Sequence, residues 1–167
     1  MKARLDLAVS KGCHGVEPDN VDTWTQKDGG GFLISYNDQL VYNKWLAREA
    51  HARDLSIGLK NDLEQVAALV NDFDWALNEQ CWYYDECQYY KPFIAGNIVA
   101  QKILLNTTKM YCNFFFFIAN KAVFNCEYNT ALPKCSKSIA AKISSIQAPL
   151  ALDGTKMKMC NSNGQLV

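Results

Sequence analysis

Several familiar signatures are missing from this sequence. No Gly-x-Gly-x-x-Gly turn opens a helix, which excludes the dinucleotide fingerprint. No two cysteines stand at Cys-x-x-Cys spacing, and His14 and His51 are the only histidines. A zinc site is therefore not expected, nor any other cofactor. There is no Arg-rich run, and 17 basic residues balance 17 acidic ones. Nothing in that balance suits a polyanion, so nucleic acid is not an expected partner. The first residues, "MKARLDLAVSKGC", lack the apolar stretch of a signal peptide. They read instead as an amphipathic helix with Leu5, Ala8 and Val9 inward. The apolar segment that includes Phe114 to Phe117 is too short to span a membrane and is interrupted by Lys102 and Lys109, so no membrane partner is expected.

What is present is the make-up of one globular domain, residues 1–167, with 49% hydrophobic and 20% charged residues. Seven cysteines is a high count. Disulfides in an exported protein explain it better than buried free thiols. Cys81 and Cys87 lie six apart and are candidates to close a small loop. Cys135 and Cys160 are candidates to tie the last helix to the tail. Cysteines suited to secretion without an export signal suggest a chain whose beginning is missing. The full-length parent is then expected to be secreted, and Cys13 to have its partner in the missing part.

Helices are expected over residues 3–10, 37–55, 61–73, from 84 until Pro92 bends it, and 136–146. Asn37 or Asp38 is the expected cap of the second, and Asn61 or Asp62 of the third. Strands are expected at "CHGVEP", "LSIGLK", "DWALNEQ", "KAVFNCEY" and "APLALDG". Strict alternation of helix and strand argues for a parallel sheet in an α/β fold. The strands are apolar first and polar at their C-terminal ends: Glu17 and Asp19, Lys60 and Asn61, Asn78 and Glu79, Glu127 and Tyr128. In a parallel barrel those ends share the rim where active sites sit.

Carboxylates at neighbouring strand ends are the equipment of glycoside hydrolysis. One protonates the leaving oxygen, and a second attacks the anomeric carbon or activates water. Glu79 is followed by Trp82, Tyr83 and Tyr84, the apolar surroundings that raise an acid's pKa. Helix packing explains those aromatics equally well. The stretch "GVEPDNVD" holds Glu17, Asp19 and Asp22, and Glu17 and Asp19 are expected to share one face of an extended strand. A cation site at Asp19 and Asp22 is a lesser reading, because the Asp-x-Asp-x-Asp-Gly rhythm of calcium loops is absent; no metal is expected.

Four blocks in order, "KGCHGVEPDNVD", "DQLVYNKWLAREAHARDLSIGLKND", "FDWALNEQC" and "KAVFNCEY", resemble glycoside hydrolase family 114, the endo-α-1,4-polygalactosaminidase TIM barrels. The likeness runs from about Ala3 to Tyr128 and weakly on to Cys160. It implies a (β/α)₈ barrel that cleaves internal α-1,4 links in a galactosamine-containing polysaccharide. The match begins just before the family's fourth strand. The resemblance therefore implies a partial TIM barrel, about strands 4–8 with their helices, forming an open parallel sheet. It implies Asp19 as nucleophile or base, with Asp22 in reserve, and Glu79 as acid/base. Glu17, Asp22, Lys60, Asn78, Glu127 and Tyr128 are implied to line the substrate cleft. A glycan carrying ammonium groups would be drawn to such a set of carboxylates.

The chain also departs from the family. His14 stands where the family has Asp, which removes a charge; its place low in the strand favours a harmless change. Residues 97–120, "NIVAQKILLNTTKMYCNFFFFIAN", separate two blocks that are nearly contiguous in the family. The Phe run would be encoded by a T-rich tract, as precedes a 3′ splice site, so the insert reads as translated intron in a mis-predicted gene model. A TIM barrel takes about 250 residues. A chain of 167 residues holding only part of one is expected to be insoluble, oligomeric or inactive, with activity in a longer product. The alternative is a non-catalytic carbohydrate-binding or vestigial barrel fragment.

Overall fold

A computed structural model describes residues 1–27, 31–95, 121–128, 134–150 and 157–167. The elements are α1 (Lys2–Ser10), β1 (Gly15–Val16), α2 (Tyr36–His51), β2 (Ser56–Lys60), α3 (Val66–Leu69), β3 (Trp75–Glu79), α4 (Lys91–Ala95), β4 (Val123–Tyr128), α5 (Cys135–Ala140), β5 (Ser144–Ala148) and β6 (Lys158–Met159). The strands belong to one sheet in the order β1-β2-β3-β4-β5-β6. β1 pairs with β2 and β4 with β5 in parallel, while β6 is antiparallel to β5. Sequential parallel strands joined by helices are the expected sector of an α/β barrel. By contacts the chain forms two units, Met1–Ala76 and Leu77–Val167.

The first unit is built on α2. Its buried residues, Gln39, Asn43, Leu46, Ala47 and Ala50, recur at helical spacing along one stripe. The stripe is apolar in its second half and polar in its first, which foreshadows the site below. The cap is Ser35, one turn before the expected Asp38. The Ser35 hydroxyl accepts from the Asp38 N–H (3.1 Å), and Asp38 accepts from the Ser35 N–H (3.0 Å). This is a capping box, with Asp38 as its reciprocal partner. At β2, Gly58 is required by close approach. A Cβ there would lie 2.5 Å from the Trp75 ring. Leu5 is the buried residue of α1, and Val9 faces solvent rather than inward. Arg53 bridges Asp6 of α1 and Glu49 of α2, at 2.6 and 2.9 Å.

In the second unit, Cys126, Ile146 and Ala148 form a small core with Tyr128, Met157 and Met159 packed against it. The helix expected over 136–146 stops at Ala140. Lys142 takes φ +57°, which turns the chain back into β5. Ile139, Ile143 and Ile146 fit helical spacing, but the last two are enclosed as the chain enters and runs along β5. The strand is thus Ser144–Ala148, earlier than "APLALDG", whose residues 151–154 lie outside the described residues. The helix expected over 61–73 shrinks to a 3-10 turn and α3. Pro92 does not break α4; it sits in the first turn, where a missing N–H costs least. The insert at 97–120, with Phe114–Phe117 and Cys112, also lies outside the described residues.

Both expected disulfides form: Cys81–Cys87 with Cα atoms 4.8 Å apart, and Cys135–Cys160 at 5.1 Å. Cys13 is an exposed thiol and Cys126 a buried one. Loop entropy makes the longer link the stronger. Opening a 25-residue separation should cost more than opening one of 6, on the order of 3 against 2 kcal/mol. Urea unfolding of Cys135→Ser and Cys81→Ser variants checks this. An equal or reversed order would show that native-state contacts outweigh chain entropy.

Candidate functional site

Every candidate residue lies at or beyond the C-terminal end of a strand. In the first unit, β1 ends at Val16, so Glu17 and Asp19 lie beyond it. Strand alternation therefore does not govern them, contrary to expectation. Asn20, at φ +54°, turns the chain. Asp19 is 62% exposed but receives the Lys60 ammonium at 2.8 Å, and Lys60 itself is nearly enclosed. The Lys60 hydrogen bond holds the Asp19 carboxyl below the usual carboxylate range, with coulombic attraction from Lys60 and the Asn20 backbone N–H adding to it against some burial. Asp19 is thus kept ionised, as a nucleophile or base requires. Lys60 thus reaches the exposed Asp19 from an enclosed position.

Asp62, expected only as a candidate helix cap, has a further role in this unit. After β2 the backbone passes through two left-handed residues, Asn61 (φ +49°) and Asp62 (φ +46°). Apart from glycine, Asn and Asp are the residues that visit this region most readily. Asp62 is buried and caps nothing through its side chain. Its carboxylate accepts from Trp24 Nε1 (3.1 Å) and Asn43 Nδ2 (2.9 Å). Asn43 also donates to the Val21 carbonyl (2.9 Å) and accepts from Gln39 (2.9 Å). The Trp24 ring meets Tyr36 edge-on, centroids 5.0 Å apart. Asp62 thereby fastens the segment that follows Asp19 to the polar half of the α2 stripe. A paired Gln39 and Asn43 on an otherwise apolar helix face was the signal that sequence reading passed over. Asp22 starts the 3-10 turn Thr23–Thr25, and its carbonyl accepts from Thr25.

In the second unit, Glu79 is the last residue of β3 and receives the Tyr128 hydroxyl, from the last residue of β4. Asn78 and Glu127 were expected to line a cleft, but both are enclosed, at 1% and 0% exposure. Strand alternation turns Asn78 to the side opposite Glu79, where it donates to the Tyr90 hydroxyl (3.1 Å). Glu127 accepts from the backbone N–H of Trp82 (2.9 Å) and from Asn125 (3.1 Å). The aromatic run divides. Trp82 is buried and donates to Ser145 (3.1 Å), whereas Tyr83 and Tyr84 are exposed and meet edge-on at 4.9 Å. His14 is exposed before β1, away from the strand's C-terminal end. Among the described residues no three His, Cys, Asp or Glu side chains gather as metal ligands, and no helix is long and apolar enough to cross a membrane.

With that geometry in view, the comparisons are specific. The model of glycoside-hydrolase family GH114 matches residues 1–164. The crystal structure of Aspergillus fumigatus Ega3 in complex with galactosamine superposes with a TM-score of 0.71 at 29% identity. That match covers 96% of this chain and 59% of the Ega3 chain, so the sequence spans about three fifths of that protein. No curated protein matches.

Burial is the main cause that raises the Asp62 pKa from an ordinary 3.8 to about 6. The charges of Asp22 and Glu64 add to it, and the bonds from Trp24 and Asn43 oppose it. The folded state therefore holds this proton more tightly than the unfolded chain. The stability it contributes is full below about pH 4 and is lost as pH rises through about 6, a change on the order of 3 kcal/mol. Urea midpoints of the natural chain and of Asp62→Asn, compared from pH 4 to 7, should diverge in that direction, with the natural chain losing ground. A constant difference would mean Asp62 does not titrate in that range.

Proposed function

Because this chain belongs to glycoside-hydrolase family GH114, we propose that it derives from a glycosidase that cleaves internal α-1,4-galactosaminidic bonds with two carboxylates. Asp19 is the nucleophile or base and Glu79 the acid/base. The observation that carries this reading is the Lys60–Asp19 pair. A buried ammonium placed on an exposed carboxylate keeps it charged without hiding it. For Glu79, contact with the Tyr128 hydroxyl supports the role, since a donor on one oxygen orients the carboxyl group. The substrate class is a galactosamine-containing polysaccharide. Its ammonium groups suit the exposed carboxylate at Asp19 and the neighbouring Glu17 and Asp22. The galactosamine bound in the Ega3 crystal structure supports the same class. Glycan-degrading activity outside the cell fits the two disulfides.

A second reading is a carbohydrate-binding domain without activity. The observation that favours it is that Asn78 and Glu127, two residues expected in the cleft, are enclosed. A reducing-end assay on α-1,4-linked galactosamine oligomers separates the two. It should be run on the 167-residue chain and on a product extended to the length of the Ega3 chain. Oligomer binding without cleavage in both would establish the binding domain instead.

In whichever product cleaves the oligomers, Asp19→Asn and Glu79→Gln should each lower turnover about 10²–10⁴-fold. Circular dichroism should show the fold retained, because both changes are nearly isosteric. A variant that keeps near-natural turnover would remove that residue from its assigned role.

A further inference from the structure

β3 ends at Glu79, and the next residue, Gln80, takes φ +63°. From there the backbone has no strand ladder to satisfy it. Three successive N–H groups nevertheless find acceptors on three successive residues of β4. Gln80 N–H donates to the Cys126 carbonyl (2.8 Å), Cys81 N–H to Asn125 Oδ1 (3.0 Å), and Trp82 N–H to Glu127 Oε1 (2.9 Å). The two side-chain acceptors are themselves tied, Asn125 Nδ2 donating to the same Glu127 oxygen (3.1 Å). Ser145 of β5 accepts from the Trp82 indole (3.1 Å) and from Ser138 of α5 (2.9 Å). The Cys81–Cys87 disulfide closes the segment from its other side.

Glu127 is 0% exposed, and its second oxygen, Oε2, has no hydrogen-bond partner among the described residues. Enclosing a carboxylate costs free energy unless its bonds recover it. Two donors on one oxygen recover part of that cost. The cost makes sense if the immobility of the clamped segment is what the enclosed acceptor secures, since a buried backbone N–H left unpaired would itself be costly. The clamped segment begins one residue after Glu79, and the residue after Glu127 is Tyr128, whose hydroxyl meets Glu79.

We propose that Asn125 and Glu127 are positioning residues, a buried clamp on the turn after Glu79 that fixes where the Glu79 carboxylate stands. Its catalytic consequence rests on the function proposed above; the clamp itself does not. Glu127 then works through backbone amides and not on the glycan.

Amide hydrogen exchange of the 167-residue chain, followed by NMR, tests the clamp without any substrate. The amides of Cys81 and Trp82 should be protected in the natural chain. Glu127→Leu should speed exchange at Trp82 about tenfold or more, while Glu127→Gln, which keeps an acceptor, should restore most of the protection. An unprotected Trp82 amide in the natural chain would overturn the proposal even if Glu127→Leu fails to fold. So would unchanged exchange in a folded Glu127→Leu variant. In whichever product cleaves galactosamine oligomers, Glu127→Leu should lower kcat with little change in KM, and Glu127→Gln should recover most of it. Loss of turnover in Glu127→Gln with Trp82 still protected would overturn the positioning role and give the carboxylate a chemical one. Absence of activity in every product would remove the proposed function while leaving the exchange result to decide the clamp.

Discussion

Buried polar groups must be satisfied where strands stop, and most of the organisation of this molecule answers that demand. Inside β2, β3 and β4 the ladder takes up the backbone N–H and C=O groups. Beyond their C-terminal ends it no longer does, and an unpaired buried group costs as much as a lost hydrogen bond. Enclosed side chains take over. Asn43, itself held by Asp62, does this for the Val21 carbonyl after β1, and Asn125 and Glu127 do it for the Cys81 and Trp82 amides after β3. The residues proposed for chemistry are the ones left at the surface of these networks.

The two networks use charge differently. In the first unit a carboxylate is held by two neutral donors, and burial with nearby acids pushes its proton affinity up. A few residues away, an ammonium that is itself enclosed pushes another carboxylate the opposite way. Asp62 and Asp19 are the same side chain given opposite tendencies by their surroundings, one framing and one proposed to react. In the second unit Glu127 is enclosed while Glu79, with its Tyr128 contact, is only partly so. Enclosure again separates the carboxylate that frames from the one proposed to react.

Much of this was legible in order along the chain. Alternating apolar segments predicted β2, β3 and β4 with nearly their observed bounds, and cysteine spacing predicted both disulfides. The polar residues at strand ends, Lys60, Glu79 and Tyr128, stood out because each closes an apolar run. The failures came where two periodicities overlap. Ile139, Ile143 and Ile146 satisfy helical spacing, but a left-handed Lys142 divides them between α5 and β5.

The sequence by itself determined the fold class, the family, and that carboxylates gather at or just past strand ends, because these depend on local pattern and on motifs contiguous in the chain. Tertiary structure alone decided which of those polar residues work inward. Asn43 meets Asp62 across 19 positions, and Trp82 meets Glu127 across 45. Glu127 and Glu79 look alike in the sequence, each a glutamate at the polar end of an apolar strand. Which is enclosed depends on the side of its strand that is covered and on the donors brought to it, and those come from distant parts of the chain.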